Sequence, residues 1–331
     1  MKTVVIAEAG VNHNGSLDLA KEMVNVAASA GADYVKFQSF DANSLVTQQA
    51  TKAAYQESQG NSGESQLAML RKLELSRSSQ AELVDYCARQ KIGFLSTAFD
   101  SESLEFLLDL DCLDYLKVPS GEITNLPLMR QMAKSGLPIL LSTGLSDMAD
   151  VTAAVNVFRN SVPEIILLHC TSEYPAPFED LNLRCLHTLH DEFGFNVGYS
   201  DHSLGIEVAI GAVAMGARFI EKHFTLDKSM PGPDHMASVD PKQLAEMIAA
   251  IRNIESALGG TIKRPSQSEE KNKTAIRKSI VARELIATGD MFTEDNLTTK
   301  RPGDGLSPMM WDSVIGRKST RVFAKDEMIE I

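Results

Sequence analysis

The chain has 331 residues, of which 44% are hydrophobic and 23% are charged, and its formal net charge at pH 7 is −12. This composition is typical of a globular protein with one large domain and a small one. The negative charge argues against a nucleic-acid partner, because binding to a phosphate backbone needs a basic face. No apolar run reaches the roughly eighteen residues of a membrane span. Residues 1–3 lead directly into a strand-like segment, so we expect no signal peptide. We therefore expect a cytoplasmic protein that binds neither nucleic acid nor membrane.

From Val4 to about Leu258, short apolar runs alternate with stretches of helical period, which predicts a parallel sheet. The predicted strands are residues 4–8, 34–38, 92–99, 115–120, 139–143, 165–170, 196–202 and 219–225. The clearest predicted helices are residues 17–30, 79–90, 126–135, 205–217 and 241–258. Eight β/α units of this size favour an α/β fold of the closed (β/α)8 or TIM-barrel type, with a doubly wound sheet as the main alternative.

Three further segments complete the predicted organisation. Residues 41–76 are polar and interrupt the alternation, so we interpret them as a long loop with some helix near the site. Residues 1–260 are the predicted barrel domain, and the polar residues 261–278 read as a linker. Residues 279–331 are predicted to form a small β-rich domain, which at about fifty residues needs a packing partner. The four cysteines lie far apart, so we expect reduced thiols rather than disulfides.

The carboxyl ends of the predicted strands are polar, and in a β/α barrel the chemistry lies at these ends. The polar residues there are Glu8, Lys36, Gln38, Ser96, Thr97, Lys117, Ser120, Glu122, Ser142, Thr143, His169, Thr171, Ser172, Ser200, His202, Glu221 and His223. Burying lysines and carboxylates without partners costs several kcal/mol, so a polar ligand that they share explains them best.

Two of these residues, His202 and His223, are predicted on adjacent strands, next to the strand that ends at Glu8. Imidazole nitrogens with carboxylate or water oxygens suit a divalent Mn, Zn, Fe or Mg ion. Each histidine taken alone is more typical of a hydrogen-bonded core residue than of a metal ligand.

Ordered motifs along the chain resemble those of the bacterial sialic acid synthase family, the nonulosonic acid synthases. They are EAGVNHNG at residues 8–15, VKFQ at 35–38, PSGE at 119–122, LSTG at 141–144, HCTSEYPAP at 169–177, YSDH at 199–202, EKHF at 221–224 and PGPD at 231–234. KRPG at residues 300–303 and IGR at 315–317 resemble the antifreeze-like (SAF) domain that ends those synthases. The resemblance spans essentially the whole chain.

The resemblance implies a domain-swapped homodimer in which Arg301 completes the neighbour's site, and it assigns roles by motif position. The implied contacts to phosphoenolpyruvate are Lys36, Thr97, Lys117, Ser120, Ser142 and Ser200, with Tyr174 nearby and Glu8 beside them. The implied sugar contacts are Gln38, Glu122, Asp234 and Arg301. The implied metal pair is His202 and His223, holding Mn²⁺ first, with Mg²⁺ or Co²⁺ as alternatives. The resemblance implies catalytic roles for Glu122, Lys36, Lys117 and the histidine pair.

The activity implied is metal-dependent condensation of phosphoenolpyruvate with an N-acylated mannosamine-type sugar, giving a nine-carbon nonulosonic acid and phosphate. Three positions depart from the pattern of N-acetylneuraminate synthases: Phe37 replaces His, Pro119 replaces Gly, and Ser172 replaces Asn. These departures resemble the branch that makes N,N′-diacetyllegionaminate from 2,4-diacetamido-2,4,6-trideoxymannose. N-acetylmannosamine is the alternative substrate. Another aldolase-type barrel enzyme and a non-catalytic ice- or carbohydrate-binding protein are the remaining alternatives.

Overall fold

Short apolar runs rich in Val, Ile and Leu form a parallel β-sheet in the first part of the chain. The structure is a computed structural model that describes residues 2–53, 56 and 64–331. The strands of this sheet are β1 (Val4–Gly10), β2 (Tyr34–Ser39), β3 (Gly93–Ala98), β4 (Leu116–Val118), β5 (Ile139–Ser142), β6 (Ile165–Cys170), β7 (Asn196–Asp201) and β8 (Phe219–His223). Strands that are apolar on both faces are typical of a sheet covered by helices.

The helices of this part lie between the strands along the chain and after the last strand. They are α1 (Leu17–Ala30), α2 (Ala42–Leu45), α3 (Gln66–Leu73), α4 (Arg77–Gln90), α5 (Ser101–Asp109), α6 (Leu126–Lys134), α7 (Met148–Phe158), α8 (Cys185–Phe193), α9 (Glu207–Ala214) and α10 (Pro241–Leu258). Asp240 caps α10 by accepting from the backbone N–H of Gln243, and Pro241 occupies its first position, where no N–H is needed. Among the described residues, no helix combines the length and apolar character needed to cross a bilayer.

The strand order closes the sheet into a barrel. The strands are hydrogen-bonded in the order β3-β2-β1-β8-β7-β6-β5-β4, and the two end strands, β3 and β4, lie in contact. A doubly wound sheet would instead reverse its order near the middle and leave two open edges. The prediction of a (β/α)8 barrel is therefore confirmed, and the doubly wound alternative is wrong.

The chain divides into two compact units, Met1–Gly259 and Gly260–Ile331. In the second unit, β9 (Ser279–Ala282) and β10 (Leu297–Lys300) pair antiparallel. Its core consists of Ile280, Ala282, Ile286, Phe292, Leu297, Val314, Phe323 and Ile329. This unit also contains α11 (Gln267–Ile276) and α12 (Trp311–Val314).

Several predicted boundaries are corrected by the structure. The predicted linker contains α11, which begins with a capping box between Ser266 and Glu269. None of its side chains is buried, and its sequence has no apolar stripe that would have predicted a helix. The fourth strand ends at Val118 because Pro119 has no backbone N–H to continue the ladder. Residues 41–76 contain α2 and α3, whereas residues 54–55 and 57–63 lie outside the described residues.

A buried ion pair joins β7 to β8 on the outer face of the barrel. Lys222 Nζ lies 2.7 Å from Asp201 Oδ2 and donates to the carbonyl oxygen of Ser203 at 2.6 Å. The other Asp201 oxygen accepts from the backbone and the hydroxyl of Ser203. Since strand side chains alternate between faces, this pair fixes the backbone from which His202 and His223 project inward.

We expect Lys222→Met to lower the free energy of unfolding by about 3 kcal/mol, because Asp201 would stay buried with only the two Ser203 donors. Urea denaturation of the full chain, followed by far-ultraviolet circular dichroism, measures the change. Lys242→Met is the matched control, since Lys242 is exposed and pairs with Glu246 on the surface of α10. A Lys222→Met midpoint equal to that of the control would contradict a stabilising role for the pair.

Candidate active site

Each of the eight strands contributes one inward side chain to the floor of a cavity of about 620 Å³ at the carboxyl ends of the barrel strands. In strand order these side chains are Glu8, Lys36, Thr97, Lys117, Ser142, Cys170, Ser200 and Glu221. All eight are buried. Barrel interiors are ordinarily filled by branched apolar residues, so a complete polar layer indicates a binding site for a polar ligand.

Two buried lysines share one carboxylate at the centre of this floor. Lys117 Nζ lies 3.0 Å from Glu221 Oε1, and Lys36 Nζ lies 3.6 Å from Glu221 Oε2. Burial alone would raise the pKa of Glu221, but Lys117 and Lys36 outweigh it and hold that pKa well below its ordinary value. Glu221 therefore stays ionised and keeps both ammonium groups in place.

The second carboxylate of the floor, Glu8, differs from Glu221 in its charge state. Its Oε2 lies 2.9 Å from Lys36 Nζ, and its Oε1 accepts from Gln38 Nε2 at 3.2 Å. Burial, partly offset by Lys36, raises the pKa of the Glu8 carboxyl to about 7. Near neutral pH, Glu8 therefore neutralises the lysine pair only in part, which leaves positive charge for an anionic ligand.

Hydroxyl groups surround the lysines. Thr97 Oγ1 accepts from Lys36 Nζ at 3.0 Å, and Ser200 Oγ donates to Glu221 Oε1 at 3.0 Å. The buried Ser142 Oγ has no hydrogen-bond partner in the part of the chain that the structure describes. A buried hydroxyl without a partner beside two ammonium groups is the pattern expected of an anion site whose ligand completes the hydrogen bonds.

Two histidines, His202 and His223, border the same cavity, with ring centroids 5.5 Å apart. His202 Nδ1 lies 2.7 Å from the carbonyl oxygen of Thr171, so this nitrogen carries the proton, and Nε2 lies 3.1 Å from the Tyr174 hydroxyl. Burial, together with His202 and Lys36, holds the pKa of His223 well below its ordinary value. His223 therefore presents a neutral nitrogen atom to the cavity. Burial alone would lower the pKa of His202, but Cys170 and the carbonyl oxygen of Thr171 outweigh it and raise that pKa above its ordinary value.

The histidine pair fits a divalent ion that keeps open positions. His223 Nδ1 is buried without a hydrogen-bond partner among the described residues, and Asp234 Oδ2 lies 3.9 Å from it. No set of three or more His, Cys, Asp or Glu side chains within those residues is arranged to hold a metal. The protein would therefore supply two imidazoles, and substrate or water oxygens would complete the coordination.

A loop after β8 brings Asp234 to the cavity. Its neighbour His235 lies with Nδ1 2.7 Å from Thr225 Oγ1 and Nε2 3.4 Å from Asn14 Oδ1. Asn12 donates to Ser238 Oγ at 2.9 Å, which ties the loop to the end of β1. Burial raises the pKa of the Asp234 carboxyl to about 6. The loop therefore holds a buried acid beside the histidine pair.

Close packing at the end of β1 requires a glycine. Gly10 has a positive φ of 52°. A Cβ atom there would lie 3.3 Å from Gln38 Nε2, Glu8 Oε1 and His223 Cε1. The absence of a side chain at Gly10 therefore lets three site residues meet.

The structure brings most of the predicted site residues together at one cavity. Those that line it are Glu8, Lys36, Gln38, Thr97, Lys117, Ser120, Glu122, Ser142, Tyr174, Ser200, His202, His223 and Asp234. Glu122 lies in a short 3₁₀ turn after β4, where its Oε2 accepts from Asn125 Nδ2 at 2.6 Å. Arg301 lies exposed in the second unit, and its Nε donates to the carbonyl oxygen of Ile276 at 2.8 Å.

Three features of the site were missed by sequence reasoning. Glu221 was identified as a polar strand end, but its role as the carboxylate shared by two lysines was not. Cys170, a free thiol, faces the cavity, whereas the preceding His169 faces outward, with Nε2 2.7 Å from the carbonyl oxygen of Leu181. The third feature is an apolar side of the cavity, formed largely by α2 and α3.

Comparison with known proteins places this barrel in a defined class of enzymes. The model of the NeuB family matches residues 23–263, and the model of the SAF domain matches residues 277–330. The chain is 49% identical to the N,N′-diacetyllegionaminic acid synthase of Campylobacter jejuni, over 99% of both chains. It is 44% identical to the enzyme of that name from Legionella pneumophila, over 96% of this chain and 90% of that one.

A solved structure gives the same result. The N-acetylneuraminic acid synthetase of Leptospira borgpetersenii superposes with a TM-score of 0.72 at 34% identity, covering 82% of this chain and 90% of that one. The chain belongs to the NeuB family. Synthases of this family form nonulosonic acids from phosphoenolpyruvate and are generally metal-dependent.

Proposed function

We propose that this protein condenses phosphoenolpyruvate with 2,4-diacetamido-2,4,6-trideoxymannose to give N,N′-diacetyllegionaminate and phosphate. The observation that carries the proposal is the buried pair of Lys36 and Lys117, joined by Glu221 and bordered by the histidine pair in one cavity. The lysine pair suits a small polyanion, and the histidine pair suits an electrophilic sugar. A condensation of the two substrates needs both kinds of group side by side. The identity to the Campylobacter synthase supports the choice of product.

Phosphoenolpyruvate would bind at the floor of the cavity. Lys36 and Lys117 supply cationic donors for its phosphate and carboxylate. The Ser142 hydroxyl, which has no hydrogen-bond partner among the described residues, supplies a further donor. Thr97 and Ser120 border the same space. Because these groups are already held by Glu221 and Glu8, little reorganisation is needed when the anion arrives.

The reaction forms one carbon–carbon bond, and at C2 a carbon–oxygen bond from water replaces the carbon–oxygen bond to phosphate. C3 of phosphoenolpyruvate attacks the aldehyde carbon of the open-chain sugar, and the aldehyde oxygen takes up a proton. Positive charge develops at C2, where water adds and loses a proton. The tetrahedral carbon then expels phosphate with cleavage of its C–O bond, and the remaining hydroxyl loses its proton to become the 2-keto oxygen. The product is a nine-carbon 2-keto acid. Lys36 and Lys117 hold the phosphate and carboxylate throughout, which aligns C3 with the aldehyde.

A divalent ion held by His202 and His223 would supply Lewis-acid polarisation of a carbonyl oxygen, and we propose Mn²⁺ as that ion. Glu122 and Asp234 are the acids placed to hold sugar hydroxyl or amide groups and to transfer the proton, and Gln38 and Tyr174 border the same space. Arg301 is proposed to reach the site of a second chain in a domain-swapped homodimer.

Only two of the three sequence departures are placed to affect substrate choice. Pro119 and Ser172 line the cavity. Phe37 does not, because it points outward from β2 and packs with its ring centroid 5.9 Å from that of Phe94. We therefore expect Pro119 and Ser172, and not Phe37, to contribute to selection of the sugar.

Phosphate release from phosphoenolpyruvate in the presence of Mn²⁺ tests the proposal. We expect 2,4-diacetamido-2,4,6-trideoxymannose to be used with a higher kcat/KM than N-acetylmannosamine, and mass spectrometry should detect a nine-carbon keto acid. A preference for N-acetylmannosamine would make the protein an N-acetylneuraminate synthase. Phosphate release with neither sugar would contradict both assignments.

A further inference from the structure

One side of the cavity is apolar, in contrast to its polar floor. Six side chains form this surface, which we call the apolar wall: Val11, Phe40, Leu45, Met69, Leu70 and Leu73. They lie on segments that follow β1 and β2 and on the helices α2 and α3. The wall belongs to a hydrophobic cluster separate from the main core of the barrel.

Helix α3 presents one face to this cavity. Met69, Leu70 and Leu73 lie at positions i, i+1 and i+4 of the helix and therefore share a face. Arg71 and Lys72, on the other side, are exposed. Met69 and Leu73 are buried although they border a cavity, and Leu70 is half-buried. The helix thus offers the ligand a hydrocarbon surface, with Gln66 at its first turn as a polar neighbour.

Phe40 of the wall lies farther along the chain from Lys36 than Gln38, a predicted sugar contact, does. Lys36, Gln38 and Phe40 are alternate residues, and all three border the cavity. A pair of residues in extended chain spans about 6.6 Å, so Phe40 lies roughly 13 Å along the chain from Lys36. The aldehyde carbon must meet phosphoenolpyruvate near the lysines, so a sugar that extends past Gln38 would bring its opposite end, C6, to the wall.

We propose that the apolar wall binds the C6 methyl group of a 6-deoxy amino sugar and selects it over a sugar with a C6 hydroxyl. This inference depends on the proposed function and specifies its substrate class. A hydroxyl placed against the wall would lose its hydrogen bonds to water without gaining others. Apolar pockets discriminate against an added hydroxyl by up to about 10²-fold, so we expect a preference of about 10- to 100-fold in kcat/KM.

The test compares 2,4-diacetamido-2,4,6-trideoxymannose with its 6-hydroxy analogue, 2,4-diacetamido-2,4-dideoxymannose, at saturating phosphoenolpyruvate. Met69→Gln keeps the length of the side chain and adds hydrogen-bonding groups, so it should reduce the ratio of the two kcat/KM values to within about threefold of one. Leu70→Gln, at a half-buried position that tolerates a polar group, should shift the ratio in the same direction. The KM for phosphoenolpyruvate should stay unchanged in both variants.

Met148→Gln is the matched control, because Met148 begins α7, is 39% exposed and does not line the cavity. It should keep the wild-type ratio. A wild-type ratio near one, or an unchanged ratio in both wall variants with normal KM for phosphoenolpyruvate, would overturn the inference and leave the proposed function intact. A wild-type protein inactive with both sugars would instead show that the proposed function has failed.

Discussion

Lys117→Met should lower kcat/KM for phosphoenolpyruvate by about 10²–10³-fold, because the anion loses one of its two buried cationic donors. The fold should survive, since Lys36 still faces Glu221 at 3.6 Å. Steady-state phosphate release, with the sugar at a saturating concentration, measures the loss. The same substitution at the exposed Lys134 of α6 is the control and should leave kcat/KM unchanged.

A Lys117→Met variant that keeps more than about a tenth of wild-type kcat/KM would place the anion elsewhere. Inorganic phosphate distinguishes a binding effect from misfolding. It should raise the melting temperature of the wild type and of the Lys134→Met control, and raise that of Lys117→Met much less.

Glu221→Gln should lower the stability of the protein by about 3–5 kcal/mol, because it leaves Lys36 and Lys117 buried without the carboxylate that they share. For a protein of this size, that change corresponds to a fall in melting temperature of roughly 10 °C. Inorganic phosphate should restore a larger part of the melting temperature in this variant than it adds to the wild type, since an anion replaces the missing charge.

Glu246→Gln serves as the control for Glu221→Gln, because it removes a carboxylate whose partner, Lys242, is exposed on α10. Its melting temperature should stay within about 2 °C of the wild type, as expected for a surface ion pair. If the melting temperature of Glu221→Gln equals that of the control, the burial of the lysines does not depend on Glu221. A variant that melts early but gains nothing from phosphate would contradict the anion site.

The fold and much of the site could be predicted because local signals carry them. Short apolar runs alternate at regular intervals with helices that have caps such as Asp240. This pattern specifies β/α units independently of the rest of the chain. Polar residues at the ends of buried strands are too costly to be incidental, so Lys36, Lys117 and the histidines could be identified as candidates before their positions were known.

The sequence of β6 does not show whether His169 or Cys170 faces into the barrel. Residues 165–168 are Ile-Ile-Leu-Leu, apolar on both faces, so no alternation shows whether His169 or Cys170 enters the cavity. The pairing of β6 with β5 and β7 decides it in favour of Cys170. The same alternation places Phe37 outside the cavity and Lys36 and Gln38 inside it.

The sequence by itself therefore determined the β/α units, the family motifs and which residue types collect at the strand ends, because these depend on local period and composition. Only the tertiary structure decided that Lys117 and Lys36 share Glu221, which lies 104 residues from Lys117. It also placed α3 against the cavity as an apolar wall. Charge pairing and helix placement arise from closure of the barrel, which brings β2, β4 and β8 around one space, and no local pattern encodes that closure.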